Sequence, residues 1–340
     1  MKIRHLVLTA SFAGAEQHVC GLANAQARHG HDVEVWGGDS AAMRERLAGN
    51  VSFAPCRGIG EALRLSRLAS RVDILHAHMT KAEVAATAAA RLFTHPARVV
   101  TTRHFAAVRG ASLRGHMARP FLRRAVATQI AVSAFVAANI DGDSTVVYAG
   151  VDPQVEVTRP REDVILVAQR LSPEKRTLDA LDAFAASGLA AQGWRLEIAG
   201  RGSQHDALVA RATSLGLGEQ LVFLGFVDDL ADRMRRAAMV LATATAEPFG
   251  LTVVEAMAHG TPVVASASGG HLETVGLVGD RFLFAPGRTD EAGHMLAVMA
   301  ADAAASSVYG RELRAVQRER FTPDRQYTDT QTVYEKVLAT

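Results

Sequence analysis

Short aliphatic runs, each followed by a stretch of helical character, narrow the architectures open to this chain. In the first half the runs are "RHLVLTA", "DVEVWGG", "VSFAPC", "VDILHAH", "RVVTTRH", "TQIAVS" and "TVVYAG". In the second half they are "VILVAQR", "WRLEIAG", "QLVFLG", "MVLATA", "PVVASA" and "RFLFAP". Val, Ile and Leu without strict alternation mark strands buried on both faces, as in parallel sheets. Repeated strand-helix-strand units predict an α/β fold with doubly wound parallel sheets. At 340 residues the chain has room for two domains. Residues 151–163, "VDPQVEVTRPRED", break the rhythm with prolines and charges and read as the linker. From Thr289 onward the pattern is helical only.

Composition excludes several classes. A net charge of +2 argues against a general nucleic-acid binder. Cys20 and Cys56 lack metal-type spacing and form no disulfide framework, so a reducing cytoplasm is expected. The first 20 residues resemble a signal peptide, but the apolar run is short and Glu16 and His18 follow it. No run reaches the ~18–20 apolar residues of a membrane span. Between Glu83 and Asp141 there is no acid, while Arg91, Arg98, Arg103, Arg109, Arg114, Arg119, Arg123 and Arg124 fall inside that interval. Two readings stay open: a surface for an anionic acceptor or an anionic membrane leaflet, and arginines that are solvated or paired with acids elsewhere.

Open parallel sheets bind ligands at the carboxyl ends of their strands. Candidates gather there: Gly14, His76, His78, His104, Ser133, Gly150, Arg170, Gly200, Gly202, Gly225 and Glu247. Two sheets with these ends facing each other would enclose a cleft. The segment "EPFGLTVVEAMAHGTPVVASASGGHLE" is the most informative. Its turn at Phe249, Gly250 and Leu251 opens a helix whose free N–H groups suit a phosphate. Glu255, one turn inside, suits the vicinal hydroxyls of a ribose, and Glu247 those of a sugar. Gly269 and Gly270 begin a second helix whose N–H groups would face phosphate. Arg170 and Lys175 in "QRLSPEKR" read either as a diphosphate clamp or as solvated loop charges. Gly200 and Gly202 mark a close backbone approach or a plain turn.

Three motifs are set aside. "GIGEAL" at 58–63 lacks the third glycine of a dinucleotide fingerprint. "DGD" at 141–143 sits in an expected turn before a strand. His76 and His78 are expected on opposite faces of their strand, which argues against a shared metal.

The chain resembles the retaining GT-B glycosyltransferases of family GT4, the glycosyl transferases group 1 type. "EPFGLTVVE" matches the family's E-x7-E element, and "RLSPEK", "VFLGFVDDL", "EAMAHGTPVVAS" and "GGHLETV" match its neighbours in order. "FAGAEQHV", "DILHAH", "TTRH" and "GVD" match in the first half. The resemblance implies two Rossmann-like domains facing across a cleft: residues 1–158, acceptor-side, joined by a final helix at 322–340, and residues 159–321, donor-side. It implies that Arg170 and Lys175 bind the donor diphosphate and that Gly14 packs by the phosphates. It gives Glu247 and the backbone of Phe249, Gly250 and Leu251 the donor-sugar hydroxyls, Glu255 the ribose, and Val227 the base. It places His104 near the reacting sugar. Ala13, Gln169 and Ala149 depart from the pattern, where Gly, Gly and Asn are common.

The expected activity is transfer of a hexose from a nucleotide diphosphate sugar, UDP preferred over GDP, with retention and without a metal or other cofactor. The expected acceptor is a cell-envelope glycan or lipid-linked saccharide, met in the cytoplasm or at the inner membrane face, with no nucleic-acid partner. A sugar-nucleotide epimerase and a catalytically idle nucleotide-sugar-binding subunit are the alternatives; a glycan phosphorylase lacks support because nothing marks a lysine-bound cofactor.

Overall fold

The computed structural model describes residues 1–93, 97–109, 125–156 and 160–339. Arg114, Arg119, Arg123 and Arg124 lie outside the described residues. The chain divides into two compact units, Met1–Gly150 with Thr322–Thr340, and Val151–Phe321. Among the described residues no helix is long and apolar enough to cross a membrane.

In the first unit β1 (Lys2–Val7), α1 (Gly14–Arg28), β2 (Asp32–Gly37), α2 (Ser40–Arg46), β3 (Ser52–Ala54), α3 (Ile59–Leu68), β4 (Ile74–His78) and α4 (Met79–Leu92) alternate as the runs predict. β5 (Arg98–Arg103), β6 (Thr128–Ala131), α5 (Ala134–Ala138) and β7 (Thr145–Val146) follow. All strands pair in parallel in the order β3-β2-β1-β4-β5-β6-β7. The order reverses between β1 and β4, which makes their carboxyl ends the switch point. One face carries Leu6, Leu75 and Ala77 against the small side chains Ala82, Ala85, Ala86 and Ala89 of α4. Alanine at those four positions lets the helix approach the sheet closely. The opposite face buries Val7 against Val19 and Ala23 of α1.

The second unit holds β8 (Glu162–Ala168), α6 (Thr177–Ser187), β9 (Arg195–Ala199), α7 (His205–Ser214), β10 (Leu221–Gly225), α8 (Leu230–Arg236) and β11 (Ala237–Ala242). It continues through α9 (Leu251–Ala258), β12 (Val263–Ser266), α10 (Gly270–Thr274), β13 (Leu283–Phe284), α11 (Thr289–Ala301) and α12 (Ala303–Arg320). The strands are parallel in the order β10-β9-β8-β11-β12-β13, so the switch point lies between β8 and β11. The central strand β8 is almost wholly buried, Val164 to Val167 being 0–3% exposed.

The segment read as a linker is partly built into this unit. Arg314 Nη2 donates to Gln154 O at 2.6 Å, and Val151 N donates to Phe321 O at 2.9 Å. Arg161 directs Nη1 and Nη2 at the carbonyls of Met234, Arg235, Ala237, His259 and Gly260 and at Thr261 Oγ1. It satisfies carbonyls where α8 and α9 end, a place that favours a cation. The chain then returns to the first unit through α13 (Pro323–Leu338), whose Val333 and Tyr334 pack on Ile3, Ile74, Val100 and Ile130.

Candidate functional site

At the second sheet's switch point the loops after β8 and β11 are bonded together. Lys175 Nζ lies 2.6 Å from Glu247 Oε2, with both side chains mostly buried. The backbone of Lys175 is held as well: its carbonyl accepts from Thr243 Oγ1 at 2.9 Å and from Gln169 Nε2 at 3.0 Å. Gln169 Nε2 also lies 3.0 Å from Thr177 Oγ1 and 3.3 Å from Thr243 Oγ1. The glutamine that stands where glycine is common therefore ties the Lys175 loop to the end of β11. Arg176, next along, adopts φ 50°, ψ 43°, a left-handed conformation unusual for a side chain of this size, and its guanidinium grips Asp179 with two bonds.

The helix start is where the sequence places it. α9 begins at Leu251, and Gly250 caps it at φ 92°. A residue with a Cβ is strained there. Val253, Val254, Ala256 and Met257 face the core, leaving Leu251 and Glu255, four residues apart, on a part-exposed face. Phe249 is buried, its ring 5.7 Å from that of Phe321. The Gly269-Gly270 pair has a different role from the expected one. Gly270 N donates to Glu247 O at 2.8 Å, so this N–H anchors the glutamate's backbone and does not wait for a phosphate. A Cβ on Gly270 would lie 2.4 Å from Phe249 Cα, and one on Gly269 would lie 2.3 Å from Glu247 O. Both glycines let the strand-β12 loop pack against the Glu247 turn. His271, buried beside that turn, directs Nδ1 at Ser266 O, 3.1 Å away. Burial lowers its pKa from the ordinary histidine value, against an upward pull from Glu247.

Arg170 is exposed, with Nη2 3.2 Å from Glu174 Oε1. Gly200 follows β9 and packs so tightly that a Cβ would lie 1.9 Å from Gln169 O. Val227 follows β10, the edge strand, and is half-buried. Arg170, Lys175, Gly200, Glu247 and the Phe249-Gly250-Leu251 turn thus all follow strands β9, β8 and β11, which are neighbours in the sheet.

In the first unit Gly14 is exposed at the first position of α1. Ala13 before it sits at φ −148°, ψ −163°, extended backbone that any residue adopts, so replacing glycine there introduces no strain. Glu16 closes the loop by accepting from Ala13 N at 2.8 Å and Thr9 Oγ1 at 2.6 Å. Met79, directly after β4, has φ 70°. It and Arg176 are the two non-glycine residues with positive φ among those described, and each follows a strand at its sheet's switch point. Such strain clusters at functional sites.

His76 and His78 share one face, contrary to the expectation. Residues two apart on a strand point the same way, and their rings stack with centroids 4.4 Å apart. On the face covered by α1 and α13, Ile3, Ile74 and Val100 give way toward the carboxyl ends to His5, His76, His78 and Thr102. His104 follows β5, and His18 of α1 completes the cluster, 4.8 Å from His104 between ring centroids. Ring nitrogens of His5, His76 and His78, and of His18, His78 and His104, fall within 4.8 Å of one another in two metal-sized groups. In the structure those rings bond to each other and to polar neighbours: His76 Nδ1 to Tyr334 Oη at 2.6 Å, His76 Nε2 to Thr102 Oγ1 at 2.7 Å.

Two arginines of the acid-free interval are paired with the very acids that bound it. Arg109 Nε is 2.7 Å from Glu83 Oε1, and its Nη1 is 2.8 Å from Asp141 Oδ2. Arg103 Nη1 is 3.3 Å from Asp141 Oδ1, and all four side chains are buried. Burial alone would raise the Asp141 carboxyl, but bonds and charge from Arg109 and Arg103 hold it well below the usual range. These contacts pin residues 103–109, the loop that carries His104. They settle "DGD" as structural at Asp141.

Comparison with known proteins agrees with this geometry. Residues 151–307 match the family described as glycosyl transferases group 1, and residues 12–155 match glycosyltransferase family 4. The glycogen synthase of Mycobacterium tuberculosis is 31% identical over 317 residues, spanning 77% of this chain and 76% of that one. MJ1607 of Methanocaldococcus jannaschii, described as an uncharacterized glycosyltransferase, is 43% identical over 83 residues, 24% of this chain and 21% of that protein. The solved structure of Anabaena Alr3699/HepE, in complex with UDP and glucose, shares the fold with a TM-score of 0.79 at 22% identity, each chain being covered in full. The fold class is α/β of the GT-B type, and the chain belongs to glycosyltransferase family 4, the group 1 glycosyl transferases.

Proposed function

We propose that this glycosyltransferase moves a hexose from a UDP-sugar to a hydroxyl of a cell-envelope saccharide, free or lipid-linked, with retention at the anomeric carbon. The observation that carries the reading is the Lys175–Glu247 pair, fixed at the second sheet's switch point beside the capped start of α9. A diphosphate at that start meets free amides and the positive end of the helix. Lys175 and Arg170 add cationic charge, and no metal is required for that task. Arg170 is readily recruited, because its exposed pair with Glu174 is of a kind worth about 0–1 kcal/mol. Lys175 stays tied to Glu247, so charge developing on the departing diphosphate falls next to a cation already in place.

Glu247 has a second carboxylate oxygen for donor-sugar hydroxyls, and Glu255 serves the ribose. Val227 lies by the base. His104, after β5 of the first unit, orients the sugar. No carboxylate is assigned as a nucleophile; the acceptor hydroxyl attacks from the face the nucleotide leaves, with the donor phosphate taking its proton. UDP is preferred because Alr3699/HepE is described in complexes with UDP and with UDP-glucose. Arg98 is exposed, and the excess of arginine over acid that the sequence carries between Glu83 and Asp141 supports an anionic acceptor or leaflet.

Incubation of UDP-hexoses with a saccharide acceptor panel, in EDTA, tests the reading. An α-linked product from an α-linked donor is expected. An inverted product, an isomerised sugar nucleotide without acceptor, or tight nucleotide binding with no turnover on any acceptor would each replace it.

A further inference from the structure

Three histidines of the first unit form one line. Gln26 Oε1 lies 2.7 Å from His5 Nε2; His5 Nδ1 lies 3.0 Å from His78 Nε2; His78 Nδ1 lies 3.1 Å from His104 Nε2. The members come from α1, β1, β4 and the residue after β5. Gln26, His5 and His78 are at most 1% exposed. His104 is half-buried, and its Nδ1 has no hydrogen-bond partner among the described residues.

Burial makes these rings neutral at pH 7. It pushes His5 and His104 down to about 4 and His78 well below its ordinary value. A neutral imidazole donates from one nitrogen and accepts at the other. The line therefore has two registers. With the Gln26 carbonyl toward His5, every ring is protonated on Nε2, and His104 ends the line with a lone pair on Nδ1. With the amide reversed, every proton moves across its ring and His104 ends with an N–H.

A second branch meets the line at Gln26. Gln26 Nε2 lies 3.4 Å from Tyr334 Oη, which lies 2.6 Å from His76 Nδ1, and His76 Nε2 lies 2.7 Å from Thr102 Oγ1. With the Gln26 amide donating to Tyr334 Oη, as the structure has it, the Tyr334 hydroxyl proton is left for His76. The Gln26 carbonyl is then the group that faces His5.

We infer that Gln26, His5 and His78 are positioning residues that fix the tautomer of His104, so that its Nδ1 accepts a hydrogen bond from a sugar hydroxyl at the carboxyl end of the first sheet. The sugar as occupant rests on the proposed function. The register does not, because it is read without substrate. A hydroxyl acceptor is unambiguous in this role, whereas a freely exchanging imidazole would meet the hydroxyl in the wrong tautomer part of the time.

Long-range proton–nitrogen NMR on ¹⁵N-histidine-labelled protein at pH 7.5 tests it. His104 is expected as the single Nε2–H tautomer. In Gln26→Met the anchor is lost, and His104 should show both tautomers. The kcat/KM for the nucleotide sugar should fall about 10-fold, the low end for loss of an orienting partner, while UDP affinity, governed by residues of the other unit, is unchanged. Gln26→Glu, whose carboxylate only accepts, should restore both tautomer and rate. An Nδ1–H His104 in the wild type overturns the inference even if Gln26→Met fails to fold. So does a His104 tautomer that is indifferent to both substitutions at Gln26.

Discussion

Lys175 and Glu247 stand 72 residues apart in sequence, yet Nζ and Oε2 meet at 2.6 Å. The meeting follows from strand order: β8 and β11 are adjacent, and each residue lies in the loop that leaves its strand's carboxyl end. Two polar side chains, Gln169 and Thr243, then hold the Lys175 backbone. Lys175→Ala and Glu247→Ala should each lower transfer by about 10²–10³-fold, the usual effect of deleting one preorganised group at developing charge. Circular dichroism should be unchanged, and melting should shift by only a few degrees. Near-wild-type rates in both variants would remove the pair from the mechanism.

Gly270→Ala tests the support behind Glu247. The added Cβ would come within 2.4 Å of Phe249 Cα and O, atoms of backbone that cannot swing aside. A destabilisation of about 1–3 kcal/mol is expected, with weakened UDP affinity as the turn shifts. Gly49→Ala, where a Cβ meets nothing within 4 Å, should change neither. Chemical denaturation and nucleotide titration together read the outcome.

The histidine cluster makes the first unit sensitive to acid. Burial lowers His5 and His104 to about 4 and holds His18, His76 and His78 well below the ordinary value of 6.5. Below pH 6.5 the unfolded chain takes up protons that the folded chain refuses, so stability falls as pH falls from about 6.5 toward 4. Each such histidine contributes up to about 1.4 kcal/mol per pH unit in that window. Trp36 lies in the first unit and Trp194 in the second, and they are the two tryptophans of the chain. In a Trp194→Phe variant, the urea midpoint followed by Trp36 fluorescence should drop steeply between pH 7 and 5. A flat profile would contradict the buried, neutral assignment.

Arg161 is predicted to be a stability residue. Replacing it with Met strands carbonyls at the ends of α8 and α9 that its guanidinium now satisfies. Each unsatisfied buried acceptor costs about 1–3 kcal/mol, so a loss of roughly 3 kcal/mol in the second unit is expected, with kcat preserved below the melting temperature. Trp194 fluorescence reports it directly.

Much of this was legible in the chain because it is local. The strands announce themselves as aliphatic runs, and Gly250 before an apolar helical period marks the start of α9. What escaped depends on contacts distant in sequence or on backbone conformation. Gln169 looked like a mere departure from a family pattern; its partners at Lys175, Thr177 and Thr243 arise only once β8 and β11 are neighbours. Met79 and Arg176 carry left-handed backbone that no glycine advertises. Arg161 read as linker charge because helix ends do not reveal which cation will cap them. The expectation that His76 and His78 face apart fails on the period of the strand itself: at a spacing of two they share a face. The sequence leaves Arg103 and Arg109 between solvent and distant acids, and pairs spanning 26 to 38 residues decide for the acids.

Calorimetric titration of UDP, GDP and ADP into the wild type and Lys175→Ala tests the central claim most directly. The account predicts one nucleoside diphosphate site per chain, with UDP preferred, weakened at least 10-fold, about 1.4 kcal/mol, by the loss of Lys175. No binding of any of the three at millimolar concentration, or equal affinity in the two proteins, would contradict a diphosphate held between Lys175 and the start of α9.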